Sequence, residues 1–446
     1  MLLSENEAQE ICRKLLGAVT GEDALVSLTG MRTSSTAFAR NEVLRTAALH
    51  DLEVSVTVTL AGRRGHAVTN QADDESLRRT VATAERNASV GHAEGEVPPT
   101  LGPQDYRQSL SWFADAAEAG PDAHEEHVRR SIERCRHEDL LGAGTVETGE
   151  SLHAVATLRG LFGYQRRSRA RFSTTVRTRA GDAAGEEAAY GFSLADLDSR
   201  KVVEAAVECC RRSRGAMAVE PGLYTVVFAP VAAADVYGWI FTQLDGWSTE
   251  VGETCFSQPG GELPLGKQLL SEKLSIWTDP EDPHAPAAAL DDEGLAARRI
   301  HWVENGVLRM LAYAPQKAVE RGLAVVPAPT SFILSSSATT LDGLVAEVDR
   351  GILVSRTQYV QPTDDGHRYV VGGVTGIGTF LIEHGKVTRP LLNLRFTEDV
   401  QRGLSELEAL GCAARTLPVA IDAQELCYFP SLRIPSFRVE ECLAGV

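Results

Sequence analysis

Lysine is scarce in this 446-residue sequence, and no dense basic surface can be recognised in it. Lysine stands at only six positions, so arginine supplies 38 of the 44 basic residues. Acidic residues number 61, which gives a formal net charge of −17. The densest basic run, Arg166–Arg171, alternates with small and apolar residues, as on the solvated face of a strand. This balance repels a phosphate backbone, so we expect no nucleic-acid partner.

Long apolar runs and paired cysteines are also absent. No stretch approaches the roughly 18 apolar residues of a membrane-spanning helix. The first residues, Met1–Glu7, lack the basic and apolar regions of a secretory signal. The eight cysteines are scattered, without a Cys-x-x-Cys pair. These absences predict a cytoplasmic protein with reduced thiols and no membrane partner.

The length of the chain predicts two domains, because one compact core rarely serves so many residues. A hydrophobic content of 43% allows each domain to bury a core of its own. The polar, glycine-containing segment Gly215–Gly222 is the best boundary. We therefore assign residues 1–217 and 218–446 to two α+β domains.

The N-terminal part combines helical and strand patterns. Apolar residues at helical spacing and acidic helix starts predict helices at 5–17, 73–87, 123–138 and 198–214. Alternating apolar and polar residues predict strands at 24–28, 36–41, 43–49 and 52–60 and a β-meander over 143–193. We expect an α/β-mixed domain with an antiparallel sheet and helices.

The C-terminal part begins with a strong strand, Leu223–Phe228, which Ala229-Pro230 ends. An apolar segment, Val231–Phe241, then predicts a buried helix. Most of the remainder is short strands and turns, with hairpins predicted at Asn305-Gly306 and His384-Gly385. We expect a domain of mixed β-sheets.

Few histidines are arranged like metal ligands. His124 and His127 are separated by two residues rather than the three of a His-Glu-x-x-His zinc helix, and His137 lies further along. Charged neighbours predict that this helix face is solvated. The isolated histidines are expected to be structural rather than catalytic; they are His66, His153, His301 and His367.

The glycine-rich segment Gly372–Gly378 lacks the Gly-Lys-Ser/Thr ending of a phosphate loop and is followed by a hairpin rather than a helix. Its glycines are better explained by a bent strand or a close approach of another chain.

Asp291, Asp292 and Glu293 form the sharpest acidic cluster, and Gly294 follows them. Three adjacent carboxylates could bind a divalent cation or hold the amino group of a peptide. Alternating side-chain directions on a strand would keep them from converging. A polar turn entering a strand at 298–303 is the alternative reading.

Several segments, in the same order along the chain, resemble the TldD/TldE (PmbA) family. The resemblance rests on their common order, and the segments are Arg40–Val43, Gly62–Asn70, Gly222–Pro230, Asp291–Gly294, Glu304–Leu308, Arg350–Val354 and Ile382–Pro390. The resemblance implies an N-terminal α+β domain and a C-terminal domain of mixed sheets that together form a cleft or tunnel.

The metal-bearing TldD-type member of that family has His-Glu-x-x-x-His on the helix after the first strand of its C-terminal domain, and a cysteine ligand near the C-terminus. In this sequence Ala234 and Trp239 stand where the imidazoles would be. Neither side chain offers a lone pair to a metal. Cys427 lies near the expected cysteine, but one thiolate does not make a site. The chain therefore resembles the metal-free TldE-type subunit, with no metal or cofactor of its own.

The resemblance gives the first functional hypothesis. It implies a partner subunit that carries His-Glu-x-x-x-His and zinc, and a heterodimeric peptidase acting on extended peptides or peptide-like metabolites. This chain would complete the tunnel and bind substrate by strand-like pairing.

Two alternatives remain. In the first, a stand-alone homodimeric enzyme of a biosynthetic pathway has reused the former metal pocket. Asp235, Tyr237 and Trp239 would then line a small-molecule site, with Asp235 transferring protons. In the second, the acidic chain is a modulator that binds another macromolecule, such as a toxin or topoisomerase.

Overall fold

The computed structural model describes residues 2–91, 97–107, 109–327, 330–365, 368–420 and 425–443. Within these ranges the strands form two large sheets, one in the N-terminal and one in the C-terminal part of the chain. No helix in these ranges has the length and apolar character needed to cross a membrane.

The N-terminal sheet has the strand order β3-β2-β1-β4-β5-β6, and every neighbouring pair is antiparallel. Its strands are β1 (Asp23–Ala39), β2 (Glu42–Leu60), β3 (Arg63–Thr69), β4 (Leu140–Thr157), β5 (Phe162–Thr178) and β6 (Ala184–Gly191). The accompanying helices are α1 (Glu5–Ala18), α2 (Asp74–Val90), α3 (Ala114–Ala117), α4 (Pro121–His137) and α5 (Ser199–Arg212).

The first two strands are much longer than the sequence pattern predicted. β1 and β2 are continuous strands of 17 and 19 residues, so the prediction of four short strands was wrong. Even-numbered residues of β1 face the helices from Ala24 to Phe38, although the polar stretch at 32–36 weakens the apolar signal. Arg40 and Asn41, both with positive φ (54° and 63°), form the two-residue turn between the strands.

Helices cover one face of this sheet. Beneath α1 and α2 lies an apolar cluster that includes Val26, Val56 and Val58. The backbone of α2 lies directly on β3, where a side chain at Gly65 would collide with the main chain of Ala84 and Ala88. A similar contact joins Gly185 of β6 to the main chain of α5. Glycine permits these close approaches because it has no Cβ.

The C-terminal sheet contains thirteen strands in the described residues, and it is mixed. β7 is parallel to β12, and β11 is parallel to β19, whereas the other pairs are antiparallel. Its strands are β7 (Gly222–Phe228), β8 (Ile276–Thr278), β9 (Ile300–Glu304), β10 (Val307–Leu308), β11 (Ile333–Leu334), β12 (Arg350–Val354), β13 (Thr357–Asp365), β14 (Arg368–Thr375), β15 (Thr379–Glu383), β16 (Lys386–Pro390), β17 (Leu394–Asp399), β18 (Ala409–Thr416) and β19 (Cys427–Cys442). The expected α+β class with an antiparallel N-terminal and a mixed C-terminal sheet is confirmed.

Short helices and tight turns complete this part. The helices are α6 (Pro230–Tyr237), α7 (Gly246–Val251), α8 (Pro315–Glu320), α9 (Leu341–Ala346) and α10 (Val400–Ser405). The buried helix expected after β7 is present, but its α-helical part ends at Tyr237 and a 3₁₀ turn, Gly238–Gln243, continues it. The hairpins at Asn305-Gly306 and His384-Gly385 are confirmed, with positive φ at all four residues.

Candidate functional site

A cleft of about 470 Å³ lies between the N-terminal sheet and loops of the C-terminal part. One wall is the face of the N-terminal sheet that the helices leave uncovered, including Ser151 and His153 of β4 and Gln165 of β5. The opposite wall is the C-terminal segment 288–292 together with Glu425 and Leu426. The cleft is therefore built where a bare sheet face of one part meets loops of the other.

Among the described residues around the cleft, acidic side chains outnumber basic ones, and Arg167 and Arg169 are the two cations. Asp51 and Glu53 of β2 and Asp292 of the opposite wall all line it. The Nε2 atom of His153 lies 4.0 Å from Oδ1 of Asp292 and 3.3 Å from Oγ of Ser27. Burial lowers the pKa of His153, and the Asp292 carboxylate opposes that shift. This arrangement favours groups that carry positive charge or donate hydrogen bonds.

Arg167 and Glu425 join the two walls at the floor of the cleft. Nη1 of Arg167 lies 2.6 Å from both carboxylate oxygens of Glu425, and its Nη2 donates to the carbonyl of Pro286 at 3.0 Å. Ser331 donates a further hydrogen bond to Glu425. Burial would raise the pKa of Glu425, but the charge and hydrogen bonds of Arg167 outweigh it and lower the pKa. The pair is thus an ionised bridge between the sheets.

The side chain of Gln165 contacts the backbone of the opposite wall. Its Oε1 accepts a hydrogen bond from the amide of Ala289 at 2.6 Å, and its Nε2 donates to the carbonyl of Leu290 at 3.5 Å. One amide side chain thereby pairs with both polar groups of an extended segment. The cleft wall before Asp291 is fixed by this contact.

The acidic cluster at 291–293 forms a turn whose carboxylates diverge. Oδ1 of Asp291 accepts from the amides of Glu293 and Leu295, and burial raises its pKa. Asp292 is fully exposed and points to the cleft, whereas Glu293 lines a separate cavity of about 260 Å³ with Arg64. Burial raises the pKa of Glu293, which the charge of Arg64 opposes. Among the described residues these three carboxylates are not grouped as metal ligands, and they lie in a turn before the strand that begins at Ile300.

Asp235 lies on α6, away from this cleft. Its side chain is 8% exposed, and its Oδ2 accepts a hydrogen bond from Thr357 at 2.9 Å. Burial raises the pKa of Asp235 to about 6, although the Thr357 hydrogen bond and the charge of Arg356 act in the opposite direction. Arg356 itself pairs with Glu187 of β6 at 2.9 Å. The carboxyl is thus close to a second junction between the two parts.

Tyr237 and Trp239 differ from Asp235 in burial and in hydrogen bonding. Tyr237 is fully buried, packs edge-on against Phe228, and donates its hydroxyl to Oε1 of Glu398 at 3.2 Å. Trp239 is half-buried, and its indole nitrogen has no hydrogen-bond partner in the ranges described. None of the three lines the cleft beside Asp291 and Asp292. The cleft therefore brings Asp291 and Asp292 together, whereas the other four predicted site residues do not line it.

The surroundings of Ala234 on α6 and of Cys427 do not suit a metal ion. Ala234 is completely buried in the apolar core of the C-terminal part. Cys427 is also buried, its sulfur accepts from the amide of Phe332 at 3.4 Å, and burial raises its pKa to about 12. Across the described ranges, no three His, Cys, Asp or Glu side chains are grouped as metal ligands. A catalytic zinc, which requires deprotonated or lone-pair donors, does not fit these residues.

The helix that carries His124 differs from the prediction. His124 is completely buried rather than solvated, and its two ring nitrogens lie 2.9 Å from the hydroxyls of Thr36 and Thr148. Burial lowers the pKa of His124 to about 4. The expectation of a solvated face was wrong because α4 turns this residue onto the sheet, whereas His137 at its end is exposed. His367 lies outside the described residues.

The glycine-rich segment belongs to β14 and the turn that follows it. Gly373 faces the ring of Phe396, which occupies the space that a side chain would take. The amide of Gly376 donates to the carbonyl of Arg356 at 2.7 Å. Close packing, as expected from the sequence, accounts for these glycines.

Four cleft residues were not recognised from the sequence: His153, Gln165, Arg167 and Glu425. His153 was expected to be structural, and Arg167 was read only as part of a solvated strand face. Both positions do lie on the strand face opposite the helices, and that alternation could have identified them. Glu425 is distant in sequence and has no local signal.

The fold is that of a two-part α+β protein with a cleft between an antiparallel N-terminal sheet and loops of the C-terminal part. The sequence matches the PmbA/TldA metallopeptidase central domain over residues 101–215 and the C-terminal domain over residues 221–443. The chain belongs to the PmbA/TldD family.

Solved structures give the same fold. A structure of TldE from Thermococcus kodakarensis has a TM-score of 0.83 at 18% identity, covering 97% of this chain and 100% of the other. The structure of a putative modulator of DNA gyrase from Bacteroides thetaiotaomicron has a TM-score of 0.82 at 20% identity, covering 99% of this chain and 100% of the other. The structure of a putative modulator of a DNA gyrase from Thermotoga maritima has a TM-score of 0.81 at 15% identity, covering 98% of this chain and 100% of the other. No curated protein matches the sequence.

Proposed function

We propose that this chain is the metal-free, TldE-like subunit of a TldD/TldE-type metallopeptidase. The observation that carries the proposal is the environment of Ala234, which is completely buried among apolar side chains at the position where a TldD-type chain has an imidazole. The zinc and its water would lie on a TldD-like partner with His-Glu-x-x-x-His. This chain would supply binding surface rather than the hydrolytic centre.

The cleft suggests what would be bound. Its acidic rim at Asp51, Glu53 and Asp292 would attract the amino group of a peptide. The bare strands of its wall offer the alternating side-chain spacing that suits an extended chain. Peptides and peptide-like metabolites are the substrate class that this combination favours, and the cytoplasm is the expected location.

The experiment is reconstitution. The chain should purify without stoichiometric zinc when expressed alone, and should hydrolyse unfolded peptide only after a TldD-type chain from the same genome is added. Elemental analysis of each chain, before and after mixing, assigns the metal to one of them. One tightly bound zinc per copy of this chain, or full peptidase activity without a partner, would show that the proposal is wrong.

A second candidate function rests on Asp235. An ionisable carboxyl with a pKa raised to about 6 is suited to proton transfer near neutral pH. A stand-alone enzyme with a reused pocket would use this group. Thr357, Arg356, Glu186 and the backbone of Val419 surround this carboxyl, and Asp235 is only 8% exposed, so access to it would be narrow.

A further inference from the structure

A second cavity, of about 260 Å³, lies beside the cleft and is here called the Arg64 pocket. One wall is the helix-free face of the N-terminal sheet, with Leu25 of β1 and Arg64 of β3. The opposite wall belongs to the C-terminal part, with Glu293 of the acidic turn and Val319 of α8. Of its described lining residues, only Asp291 also lines the cleft. The pocket is therefore a distinct space between the two parts of the chain.

Opposite charges face this pocket from its two walls. Nη2 of Arg64 donates to the carbonyl of Pro98 at 3.3 Å, which uses one of the five N–H donors of the guanidinium. Within the described part of the chain no hydrogen bond reaches the Glu293 carboxylate, and Arg64 acts on it through charge alone. Both residues belong to segments that resemble the TldD/TldE family, Gly62–Asn70 and Asp291–Gly294, yet neither lines the cleft. Each charge is thus placed to bind a group of opposite sign.

The rest of the lining is mostly apolar. Leu25, Leu101, Leu295 and Val319 all contribute to it. Val319 is 45% exposed, and an occupant of the pocket would cover it. The cavity volume of about 260 Å³ lies just below the range of about 300–1,000 Å³ that is usual for larger ligands. The pocket therefore suits one small molecule that carries a short apolar chain.

Hydrogen bonds hold two of the lining segments in place. The amide and the hydroxyl of Thr100 donate to the carboxylate of Asp23 at 2.7 and 2.6 Å, which fixes the segment at 98–101 against β1. The hydroxyl of Tyr106 donates to the carbonyl of Gly294 at 2.7 Å and holds the turn that carries Glu293. A ligand would meet a wall that is already ordered, which lowers the entropic cost of binding.

We propose that the Arg64 pocket binds a free amino acid with an apolar side chain, its carboxylate on Arg64 and its ammonium group on Glu293. A guanidinium can hold a carboxylate by two parallel hydrogen bonds, and a half-buried carboxylate without a donor is stabilised by an ammonium group. The side chain of the ligand would lie against Leu25 and Leu295. This site goes beyond the proposed function, because it requires neither a zinc ion nor a second subunit.

Calorimetry on the purified full chain tests the ligand. Leucine, isoleucine, methionine and phenylalanine are the probes, and at least one should bind at one site per chain. Leucinamide has no carboxylate, and 4-methylpentanoate has no ammonium group, so each should bind at least about tenfold more weakly than leucine. Glycine, which has no apolar side chain, should also bind more weakly. Absence of binding by all four amino acids, or equal binding of leucine and leucinamide, overturns the proposal.

Two variants locate the binding site through the same compounds. Arg64→Gln should weaken the binding of leucine about 10- to 100-fold without weakening that of leucinamide, which has no carboxylate to lose. Glu293→Gln should weaken leucine similarly without weakening 4-methylpentanoate. Thermal unfolding of each variant verifies that it is folded, and the comparison of ligands on the wild-type chain needs no variant.

Neighbouring residues supply the matched controls. Arg63→Gln should leave leucine binding unchanged, because Arg63 donates to the carbonyl of Ser89 and does not line the pocket. Asp292→Asn should also leave it unchanged, because Asp292 lines the cleft instead. If Asp292→Asn weakens leucine binding and Glu293→Gln does not, the amino acid occupies the cleft and the proposal is wrong.

Discussion

Thr357 donates its hydroxyl to the carboxylate of Asp235 over 2.9 Å and so ties α6 to the start of β13. In a supporting subunit this contact is structural, and Asp235 exchanges no proton with a substrate. Asp235→Asn keeps the acceptor oxygen and should leave turnover by the reconstituted complex within a few-fold. The loss of a general acid or base typically costs about 10²–10⁴-fold.

The control for this prediction is the same variant assayed without the metal-bearing partner. If the chain alone turns over a substrate, and Asp235→Asn reduces that turnover about a thousand-fold, the carboxyl is catalytic and the subunit hypothesis is wrong. Thr357→Val separates the hydrogen bond from the charge, because it removes the donor and leaves the carboxyl in place.

The raised pKa of Asp235 also predicts how stability depends on pH. Below about pH 3.8 the carboxyl is protonated in both the folded and the unfolded chain, and it contributes no difference. Between 3.8 and about 6 the unfolded chain releases the proton while the folded chain keeps it, so rising pH favours unfolding. Above that range the raised pKa lowers the free energy of unfolding by its full amount, which is about 3 kcal/mol at most.

Asp235→Asn should therefore be more stable than the wild type above pH 6, and the difference should vanish toward pH 3.8. Denaturant unfolding measured at intervals across this range provides the test. A difference in the free energy of unfolding that stays constant with pH would mean that Asp235 has an ordinary pKa in the folded chain.

Asp292 should contribute to substrate binding and not to metal content. It is exposed at the cleft rim, 4.0 Å from His153, and it belongs to no cluster of metal ligands among the described residues. We expect Asp292→Ala to lower activity of the reconstituted complex, mainly through a higher KM, because a charge that attracts the peptide is lost. Zinc content should be unchanged by elemental analysis.

Glu272→Ala is the matched control, because Glu272 is an exposed carboxylate that does not line the cleft. Equal activity of Asp292→Ala and Glu272→Ala would remove Asp292 from the binding surface. A parallel loss of zinc would instead place it near the metal.

The Arg167–Glu425 bridge should stabilise the junction of the two sheets. Arg167→Ala leaves the half-buried Glu425 carboxylate without its cation, and we expect a loss of about 2 kcal/mol in the free energy of unfolding, between the values typical of exposed and of fully buried pairs. The double variant Arg167→Met/Glu425→Met should lose less than the single one, because no unpaired charge remains. Denaturant titration of the full chain measures both.

A surface pair provides the comparison. Arg129 pairs with Glu133 at 2.8 Å while both side chains are about half exposed. Arg129→Ala should lower the free energy of unfolding by less than about 1 kcal/mol. If Arg167→Ala were no more destabilising than Arg129→Ala, the bridge would have no special role at the cleft.

The sequence predicted much of the architecture because local chemistry decides it. The Asn305-Gly306 and His384-Gly385 turns adopt positive φ at all four residues, as their local sequences predict, so these hairpins could be predicted directly. The acidic starts of α2 and the apolar spacing of α1 were equally local signals. The α+β class followed from these elements together.

Long-range contacts account for what was missed. The short strands expected at 24–28 and 36–41 are one strand because β4 continues its pairing through the polar middle, where Arg32 lies opposite Glu150. His124 sits between charged neighbours in sequence, but Thr36 and Thr148 come from distant strands and bury it. The cleft depends on Arg167 meeting Glu425, which no local pattern encodes.

The backbone contacts at Gly65 and Gly185 have a consequence for how this chain can change. At these two points the spacing between helix and sheet is set by main-chain atoms, whereas elsewhere in the layer it is set by the sizes of side chains. Core residues such as Val56 can exchange volume with their neighbours and leave the spacing intact. A methyl group at either glycine would clash with the helix backbone unless the helix moved away from the sheet. Many apolar substitutions should therefore be tolerated in the interior of the layer, whereas almost none should be tolerated at Gly65 and Gly185.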